Sequence, residues 1–304
     1  MKGYKAFNKG LVCRGKRYTE NTVFEEENAE FDKSRMCFCQ NPLDVLSYYP
    51  LVDNEGNVAE FTEVEALDDV RTQDGKEFCT KKLKIGSKLS LSQFIEAIFD
   101  FVSQNIKSQA EVSDNVALVG RYNAKLAGGT RAKLVGGSHA ELVGGDCAKL
   151  VGGKAATIVG GNDAVVVGDD YAILAGMYCA KLVGGDCTKL IGDTGATVVG
   201  GVYATLTGGY NSILVGDCGA TLIGGDNAKL VGDYDTKLIG GSNAIIVGDR
   251  GSTAKGKKGS IIVLVERDGD LNIVNFKAVQ VDGEKIKEDV LYQLENGEFV
   301  EVEE

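Results

Sequence analysis

From residue 116 onward the chain repeats one phrase every eight positions, small–variable–large–aliphatic–Gly, as in Ala148-Lys149-Leu150-Val151-Gly152-Gly153. It runs through 17 consecutive octads, residues 116–251. The third position is Leu, Ile or Val in every copy, and the first is Ala in 13. Small–variable–large is a period of two, so positions one and three face a core and position two faces water. The pattern predicts a short strand followed by a Gly-rich turn, with glycine supplying positive φ and close backbone approach. A short repeat of this regularity is one small unit stacked on copies of itself, a solenoid. One octad cannot enclose a core. Two octads give a flattened 16-residue coil with two strands and an Ala/Leu interior. A longer similarity recurs after six octads (Lys181 and Lys189 return as Lys229 and Lys237), which agrees with coils of two octads or of three. Handedness is not encoded in the pattern.

Position four is Val or Ile in 14 of the 17 octads, although alternation points it outward. Either the strand bends there and tucks it into a corner, which solenoid strands often do, or each face carries an exposed aliphatic stripe. An exposed stripe would mark an interface. The residues it would offer include Val135, Val151, Val167, Val183, Val199, Val215, Val231 and Val247, one per 16-residue coil. Their expected partner is another protein, with pairing of two rods as a further use of the same stripe.

Outside the repeat the pattern predicts an α+β domain over residues 1–89. Asn41-Pro42-Leu43-Asp44 reads as a helix start, 58–67 as a strand and Asp74-Gly75 as a turn. Ser90-Leu91-Ser92-Gln93 is a capping box that opens an amphipathic helix over 90–112. Its apolar face is Leu91, Phe94, Ile95, Ile98, Phe101, Val102 and Ile106, and it is expected to shield the first coil of a solenoid spanning 113–258. Residues 259–304 read as a C-terminal β cap. Asp268-Gly269, Asp282-Gly283 and Asn296-Gly297 are its hairpin signals. The fold class is thus mainly β: a β-solenoid, an α+β head and a small β cap.

Composition narrows the function. The net charge of −11 lies mostly in the flanks, which leaves the repeat nearly neutral and argues against a DNA mimic. Nucleic-acid binding would need a basic, aromatic-rich surface that the sequence lacks. No apolar run approaches the ~20 residues of a membrane span, and the opening Met1-Lys2-Gly3-Tyr4 is no secretory signal. The eight cysteines then read as free thiols in a reducing cytoplasm. Cys13, Cys37, Cys39 and Cys79 could form a zinc set, but C-x-C spacing is weaker than paired C-x-x-C, and no metal is expected. Calcium is unexpected too, since aspartate is irregular in the turns. The single histidine, His139, sits in a repeat turn, which removes His-based nucleophilic schemes. No cofactor and no catalytic residue are expected.

Three resemblances add to this reading. The octads, most closely the stretch Tyr203-Ala204-Thr205-Leu206-Thr207-Gly208-Gly209-Tyr210, resemble the repeats of bacterial ice-nucleation proteins. That likeness implies the solenoid. The family's outward Thr-x-Thr motif is kept once, at Thr205 and Thr207, so a water-ordering rod stands as a minor alternative. The opening Lys2-Gly3-Tyr4-Lys5-Ala6-Phe7, the Phe38-Cys39-Gln40-Asn41-Pro42-Leu43 motif and the Ala254-Lys255-Gly256-Lys257 stretch are similar to a family of phage and prophage proteins. This implies action in the cytoplasm of a bacterial host, with a host or phage protein as partner and a defence system as one target. Finally, Tyr4-Lys5-Ala6-Phe7, Met36-Cys37-Phe38-Cys39 and Tyr48-Tyr49 resemble, in order, ADP-ribosyltransferase-like folds without their histidine. That likeness implies Glu63 or Glu65 as catalytic glutamate in an alternative, enzymatic reading.

Overall fold

The computed structural model describes residues 1–27, 36–50, 57–90, 93–98, 100–101 and 113–302. The chain divides into two compact units, Met1–Gln104 and Asn105–Glu304.

The first unit contains β1 (Lys2–Phe7), β2 (Val12–Cys13), β3 (Lys16–Arg17), β4 (Val23–Glu25), β5 (Cys37–Cys39), α1 (Pro42–Tyr48), β6 (Glu60–Ala66), β7 (Val70–Thr72), β8 (Glu77–Thr80) and β9 (Lys82–Leu89). Seven of these strands form an antiparallel sheet in the order β4-β9-β6-β1-β5-β8-β7. Helix α1 starts where its sequence dictates: the Leu43 N–H donates to Asn41 Oδ1 at 3.0 Å, and Pro42 occupies the first turn. The capping box is also formed. The Ser90 N–H donates to Gln93 Oε1 at 2.8 Å and the Gln93 N–H to Ser90 Oγ at 3.2 Å. Residues 93–98 are helical, with Phe94, Ile95 and Ile98 fully buried and Phe94 stacked on Phe61 at 3.8 Å between ring centroids. The expected capping helix therefore puts its described aromatic anchor on the head's own β6. Its positions Leu91, Val102 and Ile106 lie outside the described residues.

The second unit is the solenoid. Each of the 17 octads contributes one strand, from β10 (Ala117–Val119) to β26 (Ile245–Gly248). Every strand pairs in parallel with the strand two octads on, Leu134 opposite Leu150 and Leu142 opposite Ile158, so the coil is two octads long and not three. Within the repeat, even- and odd-numbered strands build two separate facing sheets, each brought to 11 strands by the closing strands that follow the repeat. Between them, the position-one and position-three side chains form a continuous core, with Ala132, Leu134, Ala140, Leu142, Ala148 and Leu150 all at 0% exposure.

Glycine gives the expected close backbone approach at position six, where a Cβ on Gly153 would lie 2.9 Å from the Ser138 nitrogen of the preceding coil, but for the most part it does not supply the expected positive φ. Most position-five glycines end their strand and point inward. A Cβ on Gly152 would sit 2.6 Å from Ala156 Cβ and 2.7 Å from Ile158 Cδ1. The positive φ falls instead on position eight, which is mostly not glycine: Cys147 (56°), Ala155 (55°), Asp163 (55°) and Tyr171 (60°). This is the third residue of a type II-like turn, closed for example by the Ala148 N–H donating to Gly145 O. The left-handed residue is held by the stack, because its N–H donates to position seven of the next coil, as in Cys147 to Asn162 O at 2.8 Å.

The same geometry corrects the corner reading of position four. Val151 and Val167 are register partners within their strands, not corner residues, because glycine at position five carries the strand one residue further. The two sheets then differ. On the odd-numbered sheet the column is buried, Val143 at 1% and Ile191 at 0%, whereas on the even-numbered sheet it is open, Val119 at 79% and Val151 at 43%.

The unit ends in β27 (Thr253–Lys255), β28 (Ile261–Arg267), β29 (Ile273–Gln280), β30 (Tyr292–Glu295) and β31 (Glu298–Glu301). The β28–β29 hairpin closes the even-numbered sheet, and β30–β31 closes the odd-numbered one on β27. Asn296 and Gly297 have φ of 53° and 78°, which suits the tight turn between β30 and β31. Asp282-Gly283 makes no hairpin. Asp282 Oδ1 accepts the N–H groups of Glu284, Lys285 and Ile286 in a loop that carries the chain from one sheet to the other.

Candidate functional site

All eight valines singled out in the sequence fall on the even-numbered sheet. They stand in one column, each the register partner of the next: Val135–Val151, Val151–Val167, Val183–Val199, Val215–Val231. Val135, Val151, Val183, Val215 and Val231 are 37–45% exposed, while Val167, Val199 and Val247 are half-buried among them. A second column runs beside it at position two: Lys133, Lys149, Val165, Lys181, Thr197, Ile213, Lys229, Ile245 and Ile261. These two columns carry four lysines and no carboxylate. Such a face can bury aliphatic surface while the lysine stems lie along it and their ammonium groups reach the rim.

The column extends past the predicted residues at both ends. Val119 precedes it in register with Val135, and Val263 follows Val247. Beyond that, Phe276 is the register partner of Val265 on the same outer face and is 72% exposed. The two-octad period carries Val119 and Val263, but Phe276 has no such signal, because β29 belongs to the cap and not to the repeat.

In the head, Tyr4, Glu63 and Glu65 line one cavity of about 430 Å³, together with Lys2, Gln40, Lys84 and Phe101. Antiparallel pairing of β1 with β6 sets Tyr4 opposite Glu63 and Lys2 opposite Glu65. Burial, then the charges of Glu63 and Asp100, raises the Tyr4 hydroxyl above its ordinary pKa. Tyr48 and Tyr49, grouped with these residues in the sequence, line a second cavity of about 200 Å³ with Lys5, Cys13, Cys39 and Glu77. Tyr4 borders both. Tyr48 donates to Asp74, a bond that raises the phenol pKa and holds the Asp74 carboxyl at about 2.

The pattern gave no hint of Lys5, which is buried at 5% exposure. Its ammonium donates to the Cys37 carbonyl at 2.7 Å and lies 5.4 Å from the Phe7 ring centroid and 5.9 Å from that of Tyr18. Burial lowers its pKa. Burial, then the charge of Asp44, pushes the Cys39 thiol up to about 12, which disfavours its thiolate.

The cysteines depart from eight free thiols. Cys37 and Cys79, register partners on β5 and β8, are joined in a disulfide. Cys13, Cys39, Cys147, Cys179, Cys187 and Cys218 are free. Antiparallel pairing of two strands 42 residues apart in sequence is what brings the two sulfurs together, and it removes two of the four thiolates from the zinc set. His139 occupies a left-handed turn position with its ring edge-on to Tyr122 at 5.4 Å. Of the Thr-x-Thr pair, Thr205 is half-buried and Thr207 is at 2% exposure, so Thr207 does not face water.

Residues 1–97 match a protein family described as a domain of unknown function (DUF7666). No curated protein and no solved structure matches the chain.

Proposed function

We propose that this protein is a non-enzymatic interaction protein, with the solenoid as a rigid scaffold and its even-numbered sheet as a protein-docking face. One observation carries the reading: eight valines in a single open register column, on a surface with four lysines and no carboxylate. Contiguous exposed apolar surface of this extent marks an interaction site. The partner is a host or phage protein, in keeping with the phage and prophage resemblance of the head motif and the post-repeat segment. A bacterial defence system is one target, and the bacterial cytoplasm is the place of action. The test is retention of a stoichiometric protein from host lysate by the full chain, compared with its Val151→Asp/Val183→Asp variant. Equal capture by both, or none by either, counts against the face.

A second reading has its own support. Tyr4, Glu63 and Glu65 meet in one cavity, as an ADP-ribosyltransferase-like head would require. Turnover of nicotinamide dinucleotide that is lost in both Glu63→Gln and Glu65→Gln would favour this enzyme reading. A water-ordering rod is the least supported, since Thr207 is buried.

A further inference from the structure

We infer that the valine face pairs with the same face of a second copy of this chain, the two rods antiparallel about a two-fold axis along strand β20 (Thr197–Gly200). The inference rests on the docking reading above for the face alone, and assigns that face to a second copy of this chain in place of the host or phage protein.

The even-numbered sheet has 11 strands, and β20 is the sixth, its midpoint. A two-fold axis along this strand, lying in the interface, reverses the order of strands but keeps position two over position two and position four over position four. The valine column then lies on itself, with Val199 on the axis opposite Val199 of the second copy, Val183 opposite Val215, and Val151 opposite Val247.

The neighbouring column selects the register. About the same midpoint, Lys133 comes opposite Ile261, Lys149 opposite Ile245, Lys181 opposite Ile213, and Lys229 opposite Val165. Every lysine of the column meets a β-branched aliphatic residue, over which its methylene stem can lie while the ammonium reaches solvent. A slip of one strand either way brings lysines together. One direction opposes Lys149 to Lys229, and the other opposes Lys181 to Lys229. Of these three registers, the one without such opposition is also the one of full overlap. In it the strand of Val119, 79% exposed, faces the strand of Phe276, 72% exposed, and these are the two most exposed large hydrophobic residues of the described chain.

Eleven strands at ~4.8 Å spacing, over a width of roughly 14 Å, cover on the order of 700 Å² per copy, close to the ~800 Å² per partner of a stable specific interface. The contact is isologous, each residue meeting its counterpart in both directions.

The test is sedimentation equilibrium of the full chain from 1 to 100 µM, with site-directed cross-linking. The expected result is a dimer that Val183→Asp weakens at least tenfold. With a bismaleimide of about 10 Å reach, matched to the ~10 Å spacing of facing sheets, Val199→Cys links to itself. Val151→Cys gains no linkage at its new thiol alone but links through it to Val247→Cys when the two variants are mixed, as peptide mass spectrometry of the linked species reads out. Val183→Thr, which keeps the β-branched shape, controls for folding and remains dimeric. A wild-type monomer at 100 µM overturns the inference. If that monomer still holds another protein in a manner lost in Val183→Asp, the docking reading survives without the second copy. A dimer indifferent to Val183→Asp and linked through other residues overturns the inference as well.

Discussion

At position five of each octad a single methyl group decides whether the stack closes. Gly152 is packed so that a Cβ would lie 2.6 Å from Ala156 Cβ, which has no rotamer to give way, and 2.7 Å from Ile158 Cδ1. Gly152→Ala is therefore expected to lower stability by about 1–3 kcal/mol, the cost of overpacking. Gly153 is the contrast. A Cβ there meets the backbone of the preceding coil at 2.9 Å, yet aspartate stands at the same octad position in Asp169, Asp217 and Asp249. Gly153→Asp should cost much less than Gly152→Ala in the same denaturant titration. Position eight offers a gain. Ala155 holds φ at 55°, where a non-glycine residue is strained and asparagine is best tolerated. Ala155→Asn is expected to stabilise by a few tenths to about 1 kcal/mol, and a loss would contradict the strain argument. The disulfide gives a compartment test at this scale. Protein quenched with acid and alkylated after unfolding should expose eight thiols if the reducing cytoplasm is its home. Six would place it where Cys37 and Cys79 stay joined.

Individual turns and strands owe their order to contacts with the next coil. In several turns a position-seven aspartate accepts the N–H of the same position one coil on: Asp114 from Thr130, Asp146 from Asn162, Asp186 from Val202 and Asp226 from Ser242, at 2.7–2.9 Å. Asp146→Ala leaves one turn donor to water and should cost about 1 kcal/mol, while Asp146→Asn keeps an acceptor and should be nearly neutral. The cap is tied on by charge. Arg267 on β28 forks onto Asp249, Nε to Oδ1 at 2.7 Å and Nη2 to Oδ2 at 2.8 Å. That hydrogen bond holds the Asp249 carboxyl below its ordinary pKa, so the stabilisation is fully present above the ordinary carboxylate range near pH ~3.9 and is lost as pH falls through the lowered value. Thermal melts of the native chain and Asp249→Asn should differ at pH 7 and converge as pH falls through the lowered Asp249 value. A gap unchanged by acid would show that the pair contributes nothing.

For the molecule as a whole, the two units meet different demands. The solenoid buries its core between two sheets that each coil extends by one strand, and its stability is a sum of near-neighbour terms. Its closing hairpins differ in how they treat the free edge. On β31, Glu298 and Glu301 are exposed, and such charges discourage a further strand, whereas β29 offers Ile273, Val274 and Phe276. Phe276→Lys is accordingly expected to lower self-association at high concentration while leaving the melting temperature nearly unchanged. Light scattering and melting on the same samples check both halves. The described lining of the cavity around Tyr4, Glu63 and Glu65 comes from the head alone, so substitutions there are expected to leave self-association through the solenoid face unchanged.

The octad alone dictates a solenoid of short strands, with position three inward and position two in water. Whether two or three octads make a coil is left open by the repeat, and only the pairing of each strand with the one two octads on decides it. The Asn41 cap, the Ser90–Gln93 box and two of the three cap turns are equally legible, because each is a local hydrogen-bonding problem solved within a few residues. The remainder comes from long-range packing. Val143 and Val151 occupy the same place in the same phrase, yet one is buried and the other open, because exposure depends on which sheet a strand joins and not on its own eight residues. The Cys37–Cys79 bond, the burial of Lys5 beneath Phe7 and Tyr18, and the placing of Phe276 beside Val265 likewise depend on pairing between distant strands. Periodicity records which way a side chain points. It does not record what arrives on the other side.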